Sequence, residues 1–350
     1  MAQGWFDMRQ GYRYALIVVL VTCATVATAR AQDPAAIPPG PALPPFDQWL
    51  SELRTEALSR GIRQDVVDAA FADIQPVDSI LDRDRTQAEF SLDLTAYLKR
   101  RLTRPTVRTA QDMYTRHHSL LASVGKKYGV QPKIITAVWG LESNFGRFAG
   151  VRPTIPALAT LAYDPRRATL FRNELFSALE MLNRGDIELE RLKGSWAGAL
   201  GQPQFMPSTY LKFSQDFDGD GVRDIWTSLA DVFASIAFYL SEHGWTDKMS
   251  WGREVKVPKA SLKAVQVLPR REEGCRAVRA LTKPMSLKAW RKIGLRTTAG
   301  TPIPLAAIDA SLVTDGARYF LVYPNYEALL AYNCATSYAI SIGVLADRLK

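Results

Sequence analysis

Three histidines and three cysteines are all that the 350 residues contain. His117, His118 and His243, with one cysteine near the start and two far downstream, are too few and too scattered for a zinc site. Long apolar runs are missing beyond Val26, so no stretch after it reads as a transmembrane helix. Runs of one charge are also scarce: Lys99-Arg100-Arg101 and Arg270-Arg271 are the local clusters. No basic stripe for nucleic acid is present, and no nucleic-acid partner is expected. Internal repeats and heptads are absent as well, which removes solenoids and coiled coils.

What is there is a globular composition. Hydrophobic residues make up 47% and aromatics 10%, enough for one large domain or two of ordinary size. The formal charge is +9, of which the segment up to Ala31 carries +2, through Arg9, Arg13 and Arg30 against Asp7. The remaining +7 favours anionic polymers or simply a solvated surface.

The start reads as a secretory signal over residues 1–31. Arg9 and Arg13 precede an apolar run from Ala15 to Val26, and Ala29-Arg30-Ala31 offers cleavage after Ala31. Leu20-Val21-Thr22-Cys23 is close to a lipobox and gives the alternative of a lipoprotein anchored at Cys23, with Thr22 an unusual residue there. Secretion leaves Cys275 and Cys334 in an oxidising compartment, where one bridge and two buried thiols stand as equal alternatives. Residues 32–45 form a linker, with six prolines between Asp33 and Pro45.

From Phe46 onward helical spacing dominates: Phe46, Trp49, Leu50, Leu53 and Ala57 share a face. Helices are expected over Ser91–Arg101, Val107–Tyr128, Pro132–Ser143, Arg167–Asn183, Leu229–His243 and Thr336–Leu349. Residues 249–322 differ. Strand-like pieces lie at Glu254–Val257, Val265–Leu268 and Tyr319–Val322, with a helix near Leu287–Ile293. The expected fold class is α+β, mainly α, with a small mixed α/β subdomain.

In the Pro132–Ser143 segment Ile134, Ile135, Val138 and Leu141 form an apolar face, and Glu142 sits at its edge in the last turn. A partly desolvated carboxyl near the negative end of a helix has its charged form disfavoured, which suits a general acid. By itself this could equally be a surface glutamate beside a helix cap. A second segment, Lys193 to Tyr210, holds three glycines among small residues, with Gln202 and Gln204. Glycine lets backbone approach a ligand, and the two amides can bond sugar hydroxyls and acetamido groups.

Gly140-Leu141-Glu142-Ser143-Asn144-Phe145-Gly146 followed by Gly198-Ala199-Leu200-Gly201-Gln202-Pro203-Gln204-Phe205-Met206-Pro207-Ser208 resembles the lytic murein transglycosylases of the B family. The resemblance runs from about Phe46 to Leu349. It implies a lysozyme-like helical core, peptidoglycan glycan strands as substrate and Glu142 as the single catalytic acid and base; a periplasmic location is expected from the signal segment. Ser195, Gln204, Tyr239, Tyr332, Asn333 and Tyr338 match groove positions. Tyr97, Arg166 and Arg167 look like further groove residues, the arginines suited to peptide or lactyl carboxylates. Some family members carry an additional wall-binding module after the core; this sequence shows none. A monomer is expected, with partners among cell-wall synthesis or division proteins undefined.

Asp216-Phe217-Asp218-Gly219-Asp220-Gly221-Val222-Arg223-Asp224 fits the opening of an EF-hand loop, with the Val222 carbonyl at position seven. Thr227 stands where the closing glutamate belongs, and Asp231 is the next acid. The resemblance implies a lengthened loop closed by Asp231. A structural calcium is therefore expected, with no cofactor needed for chemistry; an Asp/Gly turn held by its own hydrogen bonds is the alternative.

Most glycosidases use two carboxylates. Asp164 and Glu174 are unremarkable in the sequence, so Glu142 is expected to work alone, with the substrate supplying the nucleophile. A hydrolytic lysozyme and a wall-binding scaffold with a dead site are the rival readings.

Overall fold

The computed structural model describes residues 43–85 and 93–350. The signal segment 1–31, Cys23 and the linker as far as residue 42 lie outside the described residues.

Pro132 opens a helix where its missing N–H costs nothing, and Asn144, in the left-handed region at φ 51°, ends it after Ser143. The expected apolar face is buried, but so are Thr136, Ala137, Trp139, Gly140 and Ser143. A helix apolar all round belongs in the middle of a bundle. This one packs against helices Arg104–Arg116, His118–Tyr128, Leu229–Glu242 and Thr336–Ala346. The last of these brings chain from nearly 200 residues downstream onto the turn that carries Glu142.

Several expectations are corrected. The helix expected over Val107–Tyr128 is two, Arg104–Arg116 and His118–Tyr128. The break falls at His117, whose ring packs edge-on against Trp139 and Phe233. Burying that ring overrides helix propensity, which is a weak preference. The helix expected from Ser91 starts at Leu94, because the Asp93 carboxylate accepts the Ala96 N–H at 2.8 Å and caps it there. Val265–Leu268 is not a strand: Val265 anchors the short helix Leu262–Gln266, and Val267 is 81% exposed. Thr154–Tyr163 is a buried helix, paired with Ala168–Arg184 across a short turn.

Five short antiparallel strands form a sheet in the order Met285–Ser286, Asp309–Thr314, Tyr319–Val322, Gly252–Lys256, Arg296–Thr297. Its faces serve two cores, as alternation along a strand requires. Leu312, Leu321 and Val255 join Trp290, Leu287 and Ile303 on one side. Val313, Phe320 and Val322 join the main helical core on the other. The Trp290 indole N–H, fully buried, donates to Ala310 O at 2.8 Å, which locks the Leu287–Ile293 helix to the sheet. The sheet is therefore a wall of the main core, and Pro44–Lys350 form one compact unit.

Cys275 and Cys334 are bridged, with Cα atoms 6.4 Å apart, which settles the two alternatives left open by the sequence. The bridge ties the segment before a short helix, Arg276–Arg279, to the stretch between helices Asn325–Tyr332 and Thr336–Ala346.

Candidate active site

Glu142 is half-buried in the last turn of the central helix. Tyr338, from Thr336–Ala346, donates its phenol to Glu142 Oε1 at 2.5 Å. Tyr338 stacks on Tyr332, and Tyr332 meets Tyr239 edge-on at 4.8 Å. Phe205 lies against both Tyr239 and Tyr332, and His243 stacks on Tyr239. The phenols are anchored by the main chain: Tyr332 donates to Pro203 O and Tyr239 to Ala331 O, each at 2.7 Å. Burial, with the charge of Glu142 added, pushes Tyr332 and Tyr338 well above the ordinary phenol value. Burial alone pushes Tyr239 up to about 12. These tyrosines are thus neutral donors and apolar faces rather than acids. Tyr97, on Leu94–Arg101, lies close enough to Tyr338 to add to its shift.

One neighbour was not named from the sequence. Arg101 donates its guanidinium to Leu141 O, the carbonyl beside Glu142 at the helix end. A cation there satisfies an otherwise unpaired carbonyl and offsets the negative helix terminus. The signal available in sequence was the Lys99-Arg100-Arg101 cluster, read there only as charge.

The glycine-rich loop approaches the same end of the helix. Ser195 Oγ accepts the Ala199 N–H at 3.1 Å and shapes the turn. Gln204 is left-handed, φ 55°, and its amide donates to Gly201 O at 2.8 Å. Asn333, half-exposed and extended, ends Asn325–Tyr332 next to Tyr332. Gln202 departs from its expected role. Its amide oxygen accepts the buried Trp139 N–H at 2.6 Å and its nitrogen donates to Trp226 O at 2.8 Å. The side chain is buried and both ends are engaged within the protein, against the expectation that it bonds sugar. It bolts the glutamate helix to the loop instead.

Arg166 and Arg167 both pair with the buried Asp84, and Arg166 also pairs with Asp164. Burial pushes the Asp164 carboxyl up, but the Arg166 main-chain N–H, its guanidinium and the charge of Arg85 outweigh this and hold it low. The structure places the arginines in this ion-pair cluster. Glu174 accepts the Ser208 N–H at 2.9 Å and hydroxyl at 2.7 Å, capping the next helix. Both acids considered as partners for Glu142 are committed elsewhere.

In the acidic loop Asp216, Asp218 and Asp231 bring carboxylate oxygens within 4.8 Å of one another. Burial, with the charges of Asp218 and Asp216, pushes Asp231 up despite two main-chain amides bonded to it. Asp220 and Asp224 are not brought into this group, contrary to expectation. Asp220 turns back on the Val222 N–H at 2.7 Å, and Asp224 accepts from Trp226 and Thr227. Each is captured by a donor of its own turn. Val222 is exposed and its side chain takes no part.

A mainly helical core of lysozyme type, one glutamate at the end of a buried helix and a cluster of tyrosines beside it define the class. The chain belongs to the transglycosylase SLT domain family, which it matches over residues 45–347. It is 31% identical over 254 residues to membrane-bound lytic murein transglycosylase B of Escherichia coli K12, covering 72% of this chain and 66% of that relative. The match thus spans just under two thirds of that relative's length. SltB3 of Pseudomonas aeruginosa, solved in complex with NAG-anhNAM-pentapeptide, shares 38% identity at TM-score 0.77, covering 86% of this chain and 78% of that one. The Escherichia coli lytic transglycosylase Slt35, solved in complex with calcium, shares 27% identity at TM-score 0.70, covering 87% and 92%.

Proposed function

We propose that the protein is a peptidoglycan lytic transglycosylase that cleaves the β-1,4 bond between MurNAc and GlcNAc without water. The observation that carries this reading is the Glu142–Tyr338 pair at 2.5 Å against a wall of buried tyrosines. A carboxyl so placed can protonate the bridging oxygen. The MurNAc N-acetyl group stabilises the cationic carbon. The ionised Glu142 then takes the proton from the MurNAc C6 hydroxyl, which attacks C1. The bond to the leaving sugar breaks, a C6–O–C1 bond forms, and a 1,6-anhydro end results. Tyr338 holds the carboxyl in place through both steps. Ser195, Gln204, Asn333, Tyr97 and Tyr239 are assigned to the sugars, and Arg166 and Arg167 to the acidic groups along the strand.

The convergent oxygens of Asp216, Asp218 and Asp231 suit a hard cation, and calcium bound there braces the loop. No step of the reaction passes through it. The chain is assigned to the periplasm through its leader, with cleavage after Ala31 or an anchor at Cys23. Digestion of purified sacculi followed by mass spectrometry tests the reaction. Anhydro-MurNAc ends are expected; reducing MurNAc ends alone would establish a hydrolase instead.

A further inference from the structure

The turn that follows Glu142 is built at a cost. Asn144, Phe145 and Gly146 all lie in the left-handed region, at φ 51°, 59° and 81°. For residues other than glycine this costs on the order of 1–3 kcal/mol each, and such strain persists only where surrounding contacts over-determine it. Here they do. Phe145 is buried edge-on against Trp139, and a Cβ on Gly146 would lie 2.5 Å from the Gln202 amide. At the far end a Cβ on Gly150 would lie 2.3 Å from the Gly194 backbone, and Arg152 pairs with Gly194 in a two-stranded ribbon. Residues 144–151 therefore form an arch. One foot stands two residues from Glu142, and the other rests against the residue before Ser195.

What this clamped arch shows to solvent is unusual. Phe148 is 68% exposed and Val151 is 84% exposed, with Arg147 exposed between the feet and Lys193 exposed on the partner strand. Scattered single apolar residues are ordinary on a surface. Two large ones held out on a strained, doubly anchored arch beside a catalytic carboxyl are not explained by packing.

We propose that Phe148 is a sugar-binding platform at the rim of the groove, with Val151 extending its apolar face and Arg147 pairing with a peptide-stem carboxylate of the same strand. The proposal rests on the peptidoglycan reading above. An aromatic face covers the C–H face of a sugar ring, and the adjoining cation suits the acidic stem. The arch then reads a segment of glycan beyond the bond being cut. It grips the strand and takes no part in bond breaking.

The test uses soluble GlcNAc–MurNAc oligomers with and without peptide stems. Phe148→Ala is expected to raise KM roughly tenfold, equivalent to about 1.4 kcal/mol, with kcat and melting temperature unchanged. Phe148→Trp restores the wild-type KM, and Arg147→Gln raises KM only for stem-bearing oligomers. An unchanged KM in Phe148→Ala overturns the proposal. So does a variant that keeps its KM but changes oligomeric state in sedimentation, which would assign the patch to a second copy of the chain. Wild-type protein that fails to cut or bind sacculi overturns the parent reading, so the two failures are separable.

Discussion

Glu142, half-buried, and Asp216 and Asp231 of the acidic loop are carboxylates held in opposite ways. Asp216 accepts the main-chain N–H groups of Gly219 and Gly221, and Asp231 those of Phe217 and Asp224. Glu142 accepts a phenol from a helix nearly 200 residues further along the chain. Carboxylates fixed by the amides of their own turn shape a loop, whereas one met by a side chain from a distant helix is oriented by tertiary packing. On the proposed function the first arrangement is structural and the second chemical, although the residue types are nearly the same.

The comparison can be broken most directly at Glu142. Glu142→Gln keeps the shape and removes the proton, so turnover should fall about 10²–10⁴-fold with the melting temperature unchanged. Appreciable activity in that variant would remove Glu142 from the chemistry. Reduction of the Cys275–Cys334 bridge, or Cys334→Ser, should cost about 2–4 kcal/mol in denaturant unfolding. Because Cys334 lies beside Asn333 and between Tyr332 and Tyr338, kcat should fall as well. Stability lost without any kcat change would make the bridge a staple unconnected to the groove. Calcium added to chelated protein at a hundred times its Kd should stabilise by about 2.7 kcal/mol, seen as a higher melting temperature. Asp231→Asn should abolish that rise and Glu142→Gln should preserve it; a response unchanged by Asp231→Asn argues against the loop as the site. The smallest effect is expected at Gln202. Gln202→Glu keeps an acceptor for Trp139 but, once ionised, offers no donor to Trp226 O. It should cost about 1–3 kcal/mol above the introduced carboxyl's pKa and recover as pH falls below it. A flat pH profile would show that the bolt is not formed in solution.

Much of the fold's local structure was legible. Pro132–Ser143 and Leu287–Ile293 keep their expected bounds because a proline or a serine cap opens them and a left-handed residue closes them. Thr154–Tyr163 was not legible: buried on nearly every side, it carries no apolar stripe to read as helical period. The strand Asp309–Thr314 was passed over for a similar reason. Ala310 to Val313 are all buried, because the sheet has a core on both faces, and the alternation that marks a strand is lost. At the site, the family resemblance pointed to Glu142 and Tyr338, but direction is not written in a motif. Gln202 and Gln204 stand two apart in the same loop, yet one is bolted inward and the other turns on Gly201. Arg101 escaped notice because its partner is a main-chain carbonyl, and nothing in a sequence marks which carbonyl will need a donor.

The hydrogen bond between Tyr338 and Glu142 joins residues 196 apart. On a ribosome adding about 5–20 residues per second, the carboxyl is made roughly 10–40 s before its phenol. Of the four helices packed on the central helix, Thr336–Ala346 arrives last. An emerging chain therefore carries its acid without the wall that orients it. On the proposed role of Glu142, competence to cut arrives late, when the distant helix docks.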